Sequence, residues 1–278
     1  MKIVRTQKEL KADIEVLRES GKRIGFVPTM GALHDGHLSL IREAKKYSDA
    51  IVVSIFVNPT QFGPKEDFAK YPRQEQDDLA KLKSSDVSIV YLPQVSDIYP
   101  DGAAVDVTVP QELSTILCGK SRPHFFHGVA TVVKRLFEQV TPDIAIFGEK
   151  DYQQLLVIKW LVKEFSMPIE IIGAPIIREP DGLAMSSRNA YLSPEERKLA
   201  PEISNSLSRL RERVRVRASS PLLTSPRKRE EEIGHAISSI KSTLEQKGFV
   251  VDYLEIYQDR IFIAAWLGKT RLIDNLKV

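Results

Sequence analysis

From about residue 23 to residue 177 the chain alternates short β-branched runs with amphipathic stretches of helical period, and this alternation narrows the possible folds most. Arg23–Thr29, Ala50–Asn58, Val87–Leu92, Asp143–Phe147 and Ile169–Ile177 read as strands, with Val105–Val109 as a shorter extended piece. Helices are expected at His37–Ser48, Pro72–Ser84, Gly128–Val140 and Asp151–Phe165. The strands run apolar without strict alternation, as expected when helices cover both faces of a sheet. Repeated β-α-β units of this kind predict an α/β fold with a doubly wound parallel sheet, whose ligands bind beyond the carboxyl ends of the strands.

The texture changes after Asp181-Gly182. Ser193-Pro194-Glu195-Glu196 is a capping box with proline at the first helical position, which predicts a long charged helix. Ser225-Pro226 opens another, with an apolar stripe at Ile233, Ile237, Ile240 and Leu244. Residues 251–258 and 261–267 read as a hairpin, so a smaller α+β domain is expected from 178 to 278, after a larger one over 1–177. The basic, Ser/Pro-rich segment Arg211–Arg229 reads as an exposed connection between helices.

Composition excludes several classes. A net charge of +3 with 28% charged residues fits neither a supercharged nucleic-acid binder nor a disordered chain. One cysteine, Cys118, rules out an internal disulfide and a four-thiolate zinc site, and it is expected as a small buried hydrophobe. The charged N-terminus does not read as a signal peptide, and no stretch is apolar enough to span a membrane. A cytoplasmic location is the expectation. Gly119-Lys120-Ser121 and Gly268-Lys269-Thr270 end like phosphate loops, but Ser114 and Ile263 stand where the earlier glycine is required.

The sharpest signal is Pro28–Leu38 (PTMGALHDGHL), between the first strand and first helix of the alternating series. Loop amides and the positive end of a helix dipole favour an anion there. Gly31 and Gly36 allow close approach, and His34 and His37 add imidazole donors that suit charge developing on a triphosphate. A zinc pair or two surface histidines are the alternatives; zinc requires at least three protein ligands.

His-Asp-Gly-His before a helix is the HxGH signature of the nucleotidylyl transferase superfamily. The longer string resembles one family within it, the pantothenate synthetases or pantoate–β-alanine ligases. Phe56–Phe62 (FVNPTQF), Phe147–Gln154 (FGEKDYQQ) and Asp181–Asn189 (DGLAMSSRN) agree in order and spacing. Arg122-Pro123 with Gly128–Val133, and 268–275, also resemble the family, so the likeness spans essentially the whole chain. Relatives acting on phosphopantetheine or a nicotinamide mononucleotide are not expected to carry FVNPTQF and DGLAMSSRN.

The resemblance implies a Rossmann-like nucleotide-binding and catalytic domain followed by a small lid domain. It implies ATP-dependent joining of pantoate and β-alanine through pantoyl adenylate, in pantothenate and coenzyme A biosynthesis. Met30, Gly31, Ala32, Leu33, His34, Asp35, Gly36 and His37 then form the ATP loop, with His37 as proton donor and His34 its partner. Gly148, Glu149, Lys150 and Asp151 form a nucleotide loop in which Lys150 is a catalytic cation, and Ile177 matches a nucleotide contact. Met185, Ser186, Ser187 and Arg188 resemble a mobile phosphate clamp. Gln61 and Gln154, with Asn58 a weaker candidate, match pantoate and β-alanine contacts. The resemblance implies magnesium carried by the ATP phosphates, no resident metal, no nucleic-acid or membrane partner, and a homodimer. Two positions depart from the family pattern: Phe125 stands where a histidine is usual, with His124 and His127 as the candidates to substitute for it, and the connection at Tyr257–Arg260 is short.

Overall fold

The computed structural model describes residues 1–63, 68–218 and 226–278, which divide into two units, Met1–Ile176 and Ile177–Val278. Strands of the first unit are β1 (Lys2–Val4), β2 (Ile24–Thr29), β3 (Ala50–Ile55), β4 (Ile89–Tyr91), β5 (Ile144–Gly148) and β6 (Glu170–Ala174). They form one sheet in the order β1-β4-β3-β2-β5-β6, every pairing parallel. Its main helices are α1 (Gln7–Glu19), α2 (Asp35–Ala44) and α3 (Glu75–Lys83). Short turns α4 (Val95–Ile98), α5 (Gln111–Ser114) and α6 (Cys118–Ser121) precede α7 (Phe125–Val140) and α8 (Tyr152–Glu164).

From β2 the chain winds one way through β3 and β4 and later returns to β5 and β6 on the other side. The topological switch point therefore lies between β2 and β5, where Gly25 pairs with Ile144. Leu40, Ile41 and Ala44 of α2 and Leu82 of α3 pack on Val27, Val53, Val90 and Ile146. Phe137 of α7 meets Phe26 of β2 and Phe147 of β5 edge-on, with ring centroids 6.2 and 6.3 Å apart. The expected strand at 169–177 stops at Ala174, leaving Ile177 beyond the sheet, and Val105–Val109 forms no strand. Cys118 is buried and unbridged.

The second unit holds α9 (Pro194–Leu199), α10 (Glu202–Ala218), α11 (Pro226–Gln246) and strands β7 (Phe249–Tyr257), β8 (Arg260–Leu267) and β9 (Thr270–Lys277). The helix expected from Ser193 is short because Pro201 breaks it before α10 begins. Arg211–Arg229 is not simply a connection: its first part completes α10 and its last part opens α11, while 219–225 lie outside the described residues. The hairpin gains a third strand, β9, giving an antiparallel sheet in the order β7-β8-β9. Ile203, Leu207 and Leu210 of α10 and Ile240 and Leu244 of α11 cover it. Among the described residues no helix is long and apolar enough to cross a membrane.

Candidate active site at the switch point

Two loops that the sequence singles out leave adjacent strands at this switch point. Met30–His34 follows β2, and Glu149–Asp151 follows β5. Between them the first turn of α2 carries both histidines.

His34 is the N-cap of α2, and its Nδ1 accepts the Gly36 amide at 3.1 Å. His37 closes the reciprocal bond, its Nδ1 accepting the His34 amide at 3.3 Å. The pair thus acts as a capping box built from imidazoles. A ring nitrogen that accepts a hydrogen bond carries no proton, so each neutral ring bears its proton on Nε2. The rings lie 4.1 Å apart between centroids. Burial, followed by the Lys150 charge, lowers the His34 pKa to about 4. Burial, followed by His34 and Lys150, lowers that of His37 to about 3. At neutral pH the site therefore presents two uncharged Nε2–H donors beside a cation.

The loop amides behave differently from the expectation. Ala32 and Leu33 donate to the Asp78 carboxylate, Gly31 to Thr29 Oγ1, and His37 to the His34 carbonyl. With His34 and Gly36 amides bonded to imidazoles, the backbone is largely satisfied by the protein itself. The anion-binding capacity rests on the Nε2–H groups, the helix dipole and Lys150 instead.

Lys150 lies 3.6 Å from Asp151 on the turn after Gly148 and Glu149. The adjacent glutamines of α8 differ. Gln153 is buried and tied to Cys118 N and to the Leu113 and Ile116 carbonyls. Gln154 is half-buried, and its side chain makes no hydrogen bond among the described residues.

In the loop after β3, Asn58 is only 1% exposed. Its Nδ2 donates to the Gly128 carbonyl at 3.3 Å, and its Oδ1 accepts from Thr60 N at 3.3 Å and from Tyr99 Oη at 2.6 Å. Asn58 anchors the loop, while the half-buried Gln61 keeps its side-chain amide uncommitted among the described residues. Arg122 Nη2 donates to the Gln61 carbonyl at 3.1 Å, and its guanidinium lies 3.8 Å from the Phe125 ring centroid. Phe125 thus gives Arg122 a cation–π platform at the position of the usual histidine. The two nearby histidines differ: His127 Nδ1 accepts the Val109 amide at 3.0 Å, and His124 is exposed.

Sequence reasoning missed Asp78 and Lys81, and it picked out Arg122 only as part of a block that resembles the family, with no role. The available signal for Asp78 was its place one turn before the buried Leu82, on the apolar side of α3. Among the described residues no group of three or more His, Cys, Asp or Glu could hold a metal, so a zinc pair at His34 and His37 lacks a third ligand.

Ile177 and Met185–Arg188 belong to the second unit. Met185 N donates to the Ile177 carbonyl at 3.0 Å, and Ser186 Oγ accepts the Arg188 amide at 3.3 Å. Asn189 ties the segment to Glu179 and Ala184, and Arg197 pairs with both Glu179 and Asp181.

The Pantoate-beta-alanine ligase family profile matches residues 2–277. The chain belongs to the pantoate–β-alanine ligase family. A relative named pantothenate synthetase, from Hyphomonas neptunium, is 46% identical over 297 residues, covering 100% of this chain and 97% of that protein. The crystal structure of a ligase of this family from Thermus thermophilus superposes with a TM-score of 0.88 at 41% identity, covering 100% of this chain and 99% of that one. That of the pantoate–β-alanine ligase from Francisella tularensis, complexed with β-γ ATP and β-alanine, gives 0.85 at 38% identity, with 100% and 97% covered. The six-stranded parallel sheet and the small antiparallel sheet are thus a pantoate–β-alanine ligase fold.

Proposed function

We propose that this protein is a ligase joining pantoate to β-alanine, at the expense of ATP, through pantoyl adenylate. In the first step a pantoate carboxylate oxygen attacks the α-phosphorus, the α–β bridging bond breaks, and pyrophosphate leaves. In the second, the neutral amine of β-alanine attacks the acyl carbon, the bond to AMP breaks, and the amine gives up a proton. The carboxylate is already ionised at neutral pH, so adenylation calls for positioning and charge stabilisation more than for a base.

The pair of neutral Nε2–H donors beside Lys150 at the switch point carries this reading. Such donors strengthen their bonds as negative charge grows on departing pyrophosphate, without a proton having to leave the enzyme. Lys150 supplies the fixed positive charge, Asp151 is assigned to the ribose hydroxyls, and Gln61 and Gln154 to pantoate and β-alanine. Asn58 acts by anchoring the loop that carries Gln61. Ile177 is assigned to the nucleotide, and Met185, Ser186, Ser187 and Arg188 to the triphosphate. Magnesium is assigned to the ATP phosphates, where it would offset their charge. A homodimer in the cytoplasm completes the proposal, with sedimentation as the check on assembly. The deciding experiment is pyrophosphate release with ATP, magnesium and pantoate. About one equivalent per site is expected before β-alanine is added, and release only after its addition would overturn the adenylate scheme.

A further inference from the structure

Asp78 is 1% exposed although it stands in the acidic first half of α3. A buried carboxylate is costly unless its oxygens are taken up by donors. Here Oδ2 accepts the Ala32 amide at 2.9 Å and Oδ1 the Leu33 amide at 2.7 Å, across 46 and 45 residues of chain. Close by on the same helix, Lys81 Nζ donates to the Leu33 carbonyl at 2.7 Å.

The backbone so held is strained. Gly31 has φ +81° and Ala32 φ +50°, the left-handed region that a residue with a side chain rarely adopts. A Cβ at Gly31 would stand 3.0 Å from Asp78 Oδ2, so the turn also needs glycine to admit the carboxylate.

Three consecutive peptide groups are fixed in this way. Asp78 holds the two that end in the Ala32 and Leu33 amides. Lys81 holds the third by its carbonyl, and the other end of that planar group is the His34 N–H that donates to His37 Nδ1. We propose that Asp78 and Lys81 are positioning residues for the phosphate site: they lock the left-handed turn, and through the Leu33–His34 peptide plane they select the His37 tautomer that directs Nε2–H at the ligand. The Lys81 charge also favours the neutral form of both rings. This inference rests on the assignment of His34 and His37 to the phosphates.

The test pairs ¹⁵N-histidine spectra with single-turnover pyrophosphate release in Lys81→Met and Asp78→Asn. The wild-type His37 ring is expected as a single Nε2–H tautomer at neutral pH. Lys81→Met should yield a tautomer mixture and adenylation about tenfold slower, with the ATP KM changed less than the rate, and Lys81→Arg should restore both. In Asp78→Asn an amide NH₂ faces a backbone N–H, so a loss of about 10- to 100-fold is expected, equivalent to one charge-assisted hydrogen bond. Should Asp78→Asn fail to fold, the half-exposed Lys81 position still decides. A single Nε2–H tautomer in Lys81→Met would overturn the proposal, whatever the activity. A tautomer mixture with undiminished adenylation would uphold the clamp and sink the assignment of His37 to the phosphates.

Discussion

The histidine loop after β2 and the glutamines at positions 61 and 154 lie in the same unit but are built on opposite lines. In the loop, both imidazole Nδ1 atoms and most backbone amides are bound within the protein, leaving one N–H per ring without a hydrogen-bond partner among the described residues. Gln61 and Gln154 keep their side-chain amides uncommitted among the described residues, while their neighbours Asn58 and Gln153 take the structural bonds. Rigid donors suit charge that appears only in a transition state; adaptable amides suit ground-state recognition of a carboxylate and an amine.

The largest expected effect tests the rigid side. His37→Ala should slow adenylation by about 10²–10³, or roughly 2.7–4 kcal/mol of transition-state stabilisation, with little change in amine attack on preformed pantoyl adenylate. Because His37 also completes a helix cap, stability should fall by about 1 kcal/mol. Rapid-quench rates for each half-reaction and a denaturant melt measure the two losses, and wild-type adenylation would break the comparison. On the adaptable side, Gln61→Ala and Gln154→Ala should raise the KM for pantoate or β-alanine by about 10- to 100-fold, as for a lost hydrogen bond to a charged group. Their stability should stay within about 0.5 kcal/mol of wild type, since no internal partner is lost. Asn58→Ala should reverse that pattern, destabilising the protein by about 1–3 kcal/mol by leaving buried partners unsatisfied. Equal melting curves for the Asn58 and Gln61 variants would contradict the division of labour.

The last effect concerns pH. The folded protein keeps His34 and His37 neutral down to about 4 and about 3, whereas the unfolded chain takes up protons from about 6.5 downward. In that window the unfolded state binds more protons, so stability falls as pH drops from about 6.5 and gains nothing from these rings above it. Melting temperatures at pH 7 and pH 5, compared with a His34→Asn/His37→Asn double variant, should show a steeper loss in the wild type.

How much of this was legible depended on whether a feature was local. The alternating sheet elements and the loop before α2 follow from periodicity, glycine and a cap, all readable within a dozen residues. Gln61 and Gln154 look like surface residues alone and stood out only through the family resemblance. Asp78 was unreadable as a clamp because its partners are 45 and 46 residues away. β1 is too short for a periodic signal, and its parallel partner β4 is remote; β9 hid behind a string that resembled a phosphate loop more than a strand. The failed expectation of free loop amides has a physical source as well. A histidine at an N-cap can satisfy the very donors that its neighbourhood advertises.

The pairing of β2 with β5 sets a timetable for the nascent chain. β2 can dock on β3 soon after both emerge, but its other edge waits for Ile144 to reach Gly25. At about 5–20 residues per second, that wait is on the order of ten seconds of synthesis. Until then the histidine loop has no Lys150 beside it, and the exposed edge of β2 can meet other strands. ATP recognition is thus a late product of biosynthesis, and nucleotide retention by stalled ribosome–nascent-chain complexes should begin only when β5 has cleared the exit tunnel.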